Sequence, residues 1–239
     1  MAVHYRTQGF FIRKADRGEA NQLFTVYTKD FGKIEILGKA IRKIKSKLRS
    51  GANLFYLSEI EFIQGKTHKT LTDAILIKNY SNIRKDLEKL GVAHQINQAL
   101  NDLVKGQEAD KEIWNLLTDV FNRLDRLDRQ KPDFIYHYFL WNLFSILGYQ
   151  PELFHCVRCQ KRLKPGIIYF SFKEGGVVCE KCLKRTTDIQ EINMDVVKIL
   201  RLFLTRDWAI LARLKVSSES QKLLDDVSGD YLSEILSKN

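Results

Sequence analysis

Residues 3–78 follow a two-residue period. Ser58-Glu59-Ile60-Glu61-Phe62 puts Ile60 and Phe62 on one face and Glu59 and Glu61 on the other, and Ile34-Glu35-Ile36 alternates in the same way. Leu23 to Thr28 is rich in β-branched and aromatic residues, Gly9 to Arg13 is mostly apolar, and Leu71 to Ile77 supplies a last strand. Turn signals fall between these runs at Asp16-Arg17-Gly18, Asp30-Phe31-Gly32 and Gln64-Gly65-Lys66. Five short strands in about 75 residues predict a small antiparallel barrel or sandwich. A five-stranded OB-type barrel has that size, and that fold binds oligonucleotides in many proteins. Strand count alone does not separate it from an SH3-like barrel.

From Ser81 the period lengthens. Ile83, Leu87, Leu90, Ile96, Leu100, Leu103 and Val104 fit an amphipathic helix with a break expected near Gly91, and Ile113 to Leu124 continues the pattern after Gly106. Phe134 to Leu147 is apolar nearly all round, the pattern of a central bundle helix that starts at Lys131-Pro132-Asp133 and ends at Gly148. Ile167 to Phe172 and Val177-Val178 predict a hairpin through Gly175-Gly176. Helical spacing resumes at Val196, Val197, Leu200, Phe203 and Leu204, and a short polar tail is expected to follow.

Composition narrows the class. The chain has 239 residues, 44% apolar and 28% charged, with only 3 Pro, which excludes a disordered or collagen-like polypeptide and allows one to three compact units. The apolar run Phe134–Leu147 is too short for a membrane span, and Met1-Ala2-Val3-His4-Tyr5-Arg6 does not open a secretory signal. Charge is uneven: residues 1–80 carry 15 basic and 7 acidic side chains, against 9 and 10 in 81–150 and 15 and 12 in 151–239. An excess concentrated in the first third points to a polyanion partner, although net charge also serves solubility. The densest segment, Gly38 to Arg49, holds Lys39, Arg42, Lys43, Lys45, Lys47 and Arg49 and no acid. A short helix anchored by Ile41, Ile44 and Leu48 would leave those cations outward to track phosphates. A solvated surface helix is the plain alternative. Among the neighbouring aromatics Phe10, Phe11, Phe24, Tyr27, Phe31, Phe55 and Tyr56, most belong in a barrel core.

All four cysteines, Cys156, Cys159, Cys179 and Cys182, form C-x2-C-x19-C-x2-C. This spacing is that of a four-thiolate zinc site, one ion per chain, with redox pairs or simple packing as the other readings. Four thiolates close a tetrahedron and leave no position for water, so such a site is structural. His155 is not needed as a fifth ligand. A search for catalytic groups finds no phosphate-binding G-x-x-x-x-G-K-[ST] loop, no H-E-x-x-H and no G-x-S-x-G. Asp125 and Asp128, set among Arg123, Arg126 and Arg129, read as helical ion pairs. No enzyme is expected.

Two regions carry a resemblance. One runs through Asp16-Arg17-Gly18-Glu19-Ala20-Asn21, Tyr27-Thr28-Lys29-Asp30-Phe31-Gly32-Lys33 and Gly38-Lys39-Ala40-Ile41-Arg42-Lys43. The other is Leu147-Gly148-Tyr149-Gln150-Pro151-Glu152-Leu153 before Cys156-Val157-Arg158-Cys159, with Phe170-Ser171, Gly175-Gly176 and Cys179-Glu180-Lys181-Cys182. Together they resemble the RecO family of bacterial DNA repair and recombination mediators over nearly the whole chain. The resemblance implies an α+β multidomain fold: an OB-type barrel at 1–80, a helical domain at 81–150 and 189–239, and a four-cysteine zinc ribbon inserted at 151–188. It further implies binding of single- and double-stranded DNA, strand annealing, cooperation with RecR, docking of the C-terminal tail of single-strand binding protein (SSB), indirect service to RecA, and a cytoplasmic, nucleoid-associated location without a membrane. Charge and zinc alone fit an RNA- or ribosome-associated zinc-ribbon protein equally well. A nuclease and a structural adaptor are the remaining alternatives.

Overall fold

The computed structural model describes residues 3–127, 132–164, 166–183, 188–211 and 213–238. The chain divides into two compact units, Met1–Asp128 and Arg129–Asn239. Among the described residues no helix is long and apolar enough to cross a membrane.

The first unit is built on β1 (His4–Arg17), β2 (Asn21–Thr28), β3 (Gly32–Gly38), β4 (Leu57–Gln64) and β5 (Lys69–Lys78). They close a barrel in the order β1-β2-β3-β5-β4, the five-stranded OB-type arrangement. All five expected strands are present. β1 is long enough to serve two neighbours: His4–Phe10 pairs with β4, and the stretch from Gly9 to Arg17 pairs with β2. A bulge between Phe11 and Arg13 bends it from one partner to the other. Closure between β3 and β5 is parallel and rests on the pairs Ile36↔Lys69 and Leu37↔Thr70. The two-residue period places Phe24, Val26, Ile34, Ile36, Ile60 and Phe62 inside. Phe11 and Phe24 are fully buried in the barrel core, whereas Phe10, Tyr27 and Phe55 are fully buried outside it. Gly32 has a positive φ of 59°, and a Cβ there would lie 2.3 Å from the carbonyl oxygen of Glu108, so the β2–β3 turn admits only glycine without a shift.

Two helices complete this unit, α1 (Leu87–Leu103) and α2 (Lys111–Arg126). Each begins on an aspartate cap: Asp86 accepts from the N–H groups of Glu88 and Lys89, and Asp110 from those of Glu112 and Ile113. The break expected at Gly91 does not occur. One helical glycine costs about 1 kcal/mol, and the buried side chains of Val92, Ala93, Ile96 and Leu100 outweigh it. Phe121 of α2 lies 4.4 Å from Phe10 on the outer face of β1, centroid to centroid, and also meets Phe55 and Tyr80. Asn97 of α1 donates to the carbonyl of Ile12 at the bulge. Among the described residues Asp125 makes no helical ion pair: it is buried and accepts from the backbone N–H groups of Asn82 and Ile83. Arg123 pairs instead with Asp119 at 2.7 Å. Asp128, Arg129 and Lys131 lie outside the described residues.

The second unit contains α3 (Pro132–Ile146), β6 (Ile168–Ser171), β7 (Gly176–Cys179), β8 (Ile189–Ile192), α4 (Met194–Thr205), α5 (Trp208–Leu211) and α6 (Ser218–Ser237). α3 is buried nearly all round and packs on α4 and α6, as its sequence predicts. Trp141 stacks on Tyr231 at 5.4 Å and donates its indole N–H to Ser228. The expected hairpin forms as β6–β7, and β8 adds a third strand that sequence reading missed. The expected polar tail is instead the long helix α6. Its buried Leu224, Val227, Tyr231 and Ile235 recur at intervals of three and four, a helical stripe diluted by many polar neighbours.

Candidate nucleic-acid interface and metal centre

The basic run forms the connection between β3 and β4. It is not the expected helix but a series of turns ending in a 3₁₀ turn, Lys47–Ser50. The reason lies in its backbone bonds. The N–H of Arg42 donates to the carbonyl of Ala20, and the N–H of Ala40, whose φ is 52°, donates to the side chain of Asn21. These bonds tie the segment to the β1–β2 turn instead of to its own preceding turn. Ile41 is buried and Leu48 packs against the barrel core, but Ile44 is 91% exposed and anchors nothing. Gly51 presses onto β5: a Cβ there would sit 1.9 Å from the carbonyl oxygen of Ala74.

Lys39, Arg42, Lys43, Lys45, Lys47 and Arg49 are all exposed. Arg42 lies 3.3 Å from the Asp16 carboxylate. Among the described residues no carboxylate comes within 4.0 Å of the other five. Arg42 and Arg49 line a 260 Å³ cleft together with Lys14 and Asn53, and Lys14 donates to the Asn53 side chain at 2.9 Å. Lys39, Lys43, Lys45 and Lys47 continue along the connection outside that cleft.

Sequence reading missed a larger basic groove. A 680 Å³ cleft on the outer face of β1, β2 and β3 gathers Arg13, Arg17, Lys33 and Lys69, with Glu35 as its one carboxylate among the described residues. Lys33 donates to the carbonyl of Asn101 at 2.6 Å and Lys69 to the Gln107 side chain at 3.1 Å, which fastens the end of α1 and the connection after it along one rim. Burial, then the charge of Lys105, hold the Lys33 ammonium below its usual pKa. The shared strand parity of Arg13 and Arg17 was the one signal in the sequence. The arrival of Lys33 and Lys69 depends on barrel closure.

The four sulfurs of Cys156, Cys159, Cys179 and Cys182 all lie within 4.8 Å of one another. A tetrahedral site with metal–sulfur bonds of about 2.3 Å has sulfur–sulfur edges of about 3.8 Å, and the Cys159 and Cys179 sulfurs are 3.8 Å apart. The donor set therefore fits one ion. Local bonding prepares it: the N–H of Gln160 closes the first C-x2-C turn on the carbonyl of Cys156 at 2.8 Å, and Gln160 takes a φ of 59°. The N–H of Cys179 reaches the Cys156 sulfur at 3.5 Å. Burial pushes the Cys156 thiol up, but backbone N–H groups of Cys159, Cys179 and Arg158 outweigh it and bring the pKa down to about 6. Hydrogen bonds with the sulfurs of Cys159 and Cys179 push Cys182 the other way, to about 12. Four crowded thiols cannot all ionise unaided, which is the situation a cation relieves. His155 stands aside, half-exposed and 3.7 Å from Glu152. The centre is stitched to the hairpin, because Val157 donates to the carbonyl of Val177, and Phe170 of β6 meets Trp141 and Tyr231.

Comparison with known proteins agrees with this geometry. The model described as "Recombination protein O N terminal" matches residues 1–80, and "Recombination protein O C terminal" matches 84–239. A protein named DNA repair protein RecO from Dehalococcoides mccartyi (strain CBDB1) is 32% identical over 216 residues, covering 90% of this chain and 84% of its own. The protein of that name from Acetivibrio thermocellus is 30% identical over 236 residues, 99% of this chain and 93% of its own. The one from Halalkalibacterium halodurans is 27% identical over 232 residues, 97% and 90%. With both halves matched by family models and the barrel and thiol centre in place, the chain belongs to the RecO family of DNA repair and recombination proteins.

Proposed function

We propose that this protein is a non-enzymatic DNA-binding mediator. It binds single- and double-stranded DNA, anneals complementary strands and, with RecR, helps RecA onto single strands coated by SSB, whose C-terminal tail it docks. The observation that carries the reading is the exposed connection of Lys39, Arg42, Lys43, Lys45, Lys47 and Arg49 beside an OB-type barrel, almost free of carboxylate partners. Cations arranged this way contact phosphates without reading bases, so base pairing itself selects the partner strand. Bringing two backbones together requires only that their repulsion be screened, and no bond is made or broken.

The ion held by Cys156, Cys159, Cys179 and Cys182 is zinc, one per chain, and its task is structural. A sulfur-only donor set favours zinc over the hard cations that bind through oxygen. The protein works in the bacterial cytoplasm on the nucleoid. The test is annealing of complementary oligonucleotides, bare and SSB-coated, across a salt titration. Acceleration that fades with salt is expected. Metal-dependent strand cleavage, or preference for RNA over DNA of equal length, would replace this reading with another.

A further inference from the structure

We propose that the β1–β2 hairpin is a partition with a separate groove for a single DNA strand on each face, so that one chain holds two strands at once. This rests on the nucleic-acid reading above and adds to it a second strand site with its own residues. In an antiparallel pair, directly opposed residues share a face and successive residues alternate. The register Arg13↔Thr25, Ala15↔Leu23 and Arg17↔Asn21 puts Arg13 and Arg17 on one face, and Lys14↔Phe24 puts Lys14 on the other. Phe24 belongs to the barrel interior, so the face of Arg13 and Arg17 is the outer one. Lys14 therefore points to the barrel end, where its ammonium binds Asn53 on the connection carrying Arg42 and Arg49.

Among the described residues the two clefts share no lining residue. The outer one, 680 Å³, sets four cations against Glu35, and the barrel-end one, 260 Å³, is lined by Lys14, Arg42 and Arg49. Between them lies a fully paired two-stranded ribbon from Arg13 to Thr25. The pairing of the two strands is uninterrupted from Arg13↔Thr25 to Arg17↔Asn21, so no opening passes through the ribbon between the grooves. Each backbone thus meets its own cations, and neither strand displaces the other. One chain then carries both strands at once, which raises the concentration of each around the other, and pairing begins between the bases that extend beyond the ribbon.

The test uses the full chain and an oligothymidylate of about 8 residues, inside the roughly 4–16 nucleotides that an OB fold covers. Oligothymidylate cannot pair with itself, so stoichiometric titration at low salt counts grooves. Two oligonucleotides per chain are expected. The double variants Arg13→Gln/Arg17→Gln and Lys14→Gln/Arg49→Gln should each bind one, and either should lose protein-promoted annealing of complementary strands while still binding a single strand. One oligonucleotide per wild-type chain, or both variants abolishing the same single site, overturns the partition and leaves the DNA reading standing. No binding by the wild type overturns the DNA reading, and the partition with it.

Discussion

Replacing Lys43, Lys45 and Lys47 with Ala measures how much of DNA affinity the β3–β4 connection supplies. All three side chains are exposed, and among the described residues none has a carboxylate within 4.0 Å, so their removal costs the fold little. Setting aside Arg42, which pairs with Asp16 at 3.3 Å, the connection offers five cations, Lys39, Lys43, Lys45, Lys47 and Arg49, for phosphate contacts, and measuring in an Arg13→Gln/Arg17→Gln background keeps the outer groove out of the slope. Each contact with a single strand adds about 0.7 to the slope of log K against log salt, giving about −3.5 for the intact connection and about −1.4 for the triple variant. Raising salt from about 50 to about 200 mM should then weaken binding by the intact connection roughly 130-fold and by the variant roughly 7-fold. Fluorescence anisotropy with a labelled single strand reads both slopes, and unchanged thermal unfolding checks the fold. Equal slopes would show that these lysines stand in solvent without touching DNA.

Removing the ion with a chelator, or the change Cys156→Ser, should raise amide hydrogen exchange across 152–183 and leave the barrel strands protected; metal analysis of reduced protein should find one zinc per chain, and its absence would refute the assignment. Phe121→Ala should destabilise the first unit by about 3–5 kcal/mol in denaturant unfolding, because the ring is fully buried against Phe10, Phe55 and Tyr80. Gly51→Ala should cost about 2–3 kcal/mol, since its Cβ collides with the backbone of Ala74, and a smaller loss would show that the connection can lift off β5. Burial, then the charge of Asp110, raises the Tyr27 phenol from 10.0 to about 12. The neutral phenol therefore favours the folded state: its contribution is complete below pH 10 and disappears as pH climbs through about 12. Tyr27→Phe should lose less stability across that window than the wild type, and parallel curves would contradict the burial argument.

The strands were legible because alternation is a local property: Ile60 and Phe62 against Glu59 and Glu61 need no knowledge of the fold. The cysteine spacing was legible for the same reason, since each C-x2-C turn is closed by bonds within a few residues. The basic connection was legible in charge and not in shape. Its apolar spacing suits a helix, but the bonds from Arg42 and Ala40 to the β1–β2 turn are tertiary and win. The outer groove escaped because Arg13, Lys33 and Lys69 come from three strands that meet only when the barrel closes. α6 escaped because four buried apolar residues among many polar ones look like a tail until a partner surface exists for them. Asp125 looked like one half of a surface pair because nothing in its neighbourhood of the sequence reveals Asn82 and Ile83 above it.

The parallel seam between β3 and β5 has a consequence for evolution. Two residue pairs hold it, and the two strands are joined through a long excursion, so it is the costliest edge to zip and the cheapest to breathe open. The excursion that delays closure also lies over the barrel, with Leu48 against its core and Gly51 against β5. One stretch of polypeptide is thus both a latch and a bearer of cations. Changing its lysines would alter the charge it presents and leave the latch in place, whereas shortening it would loosen the barrel it fastens.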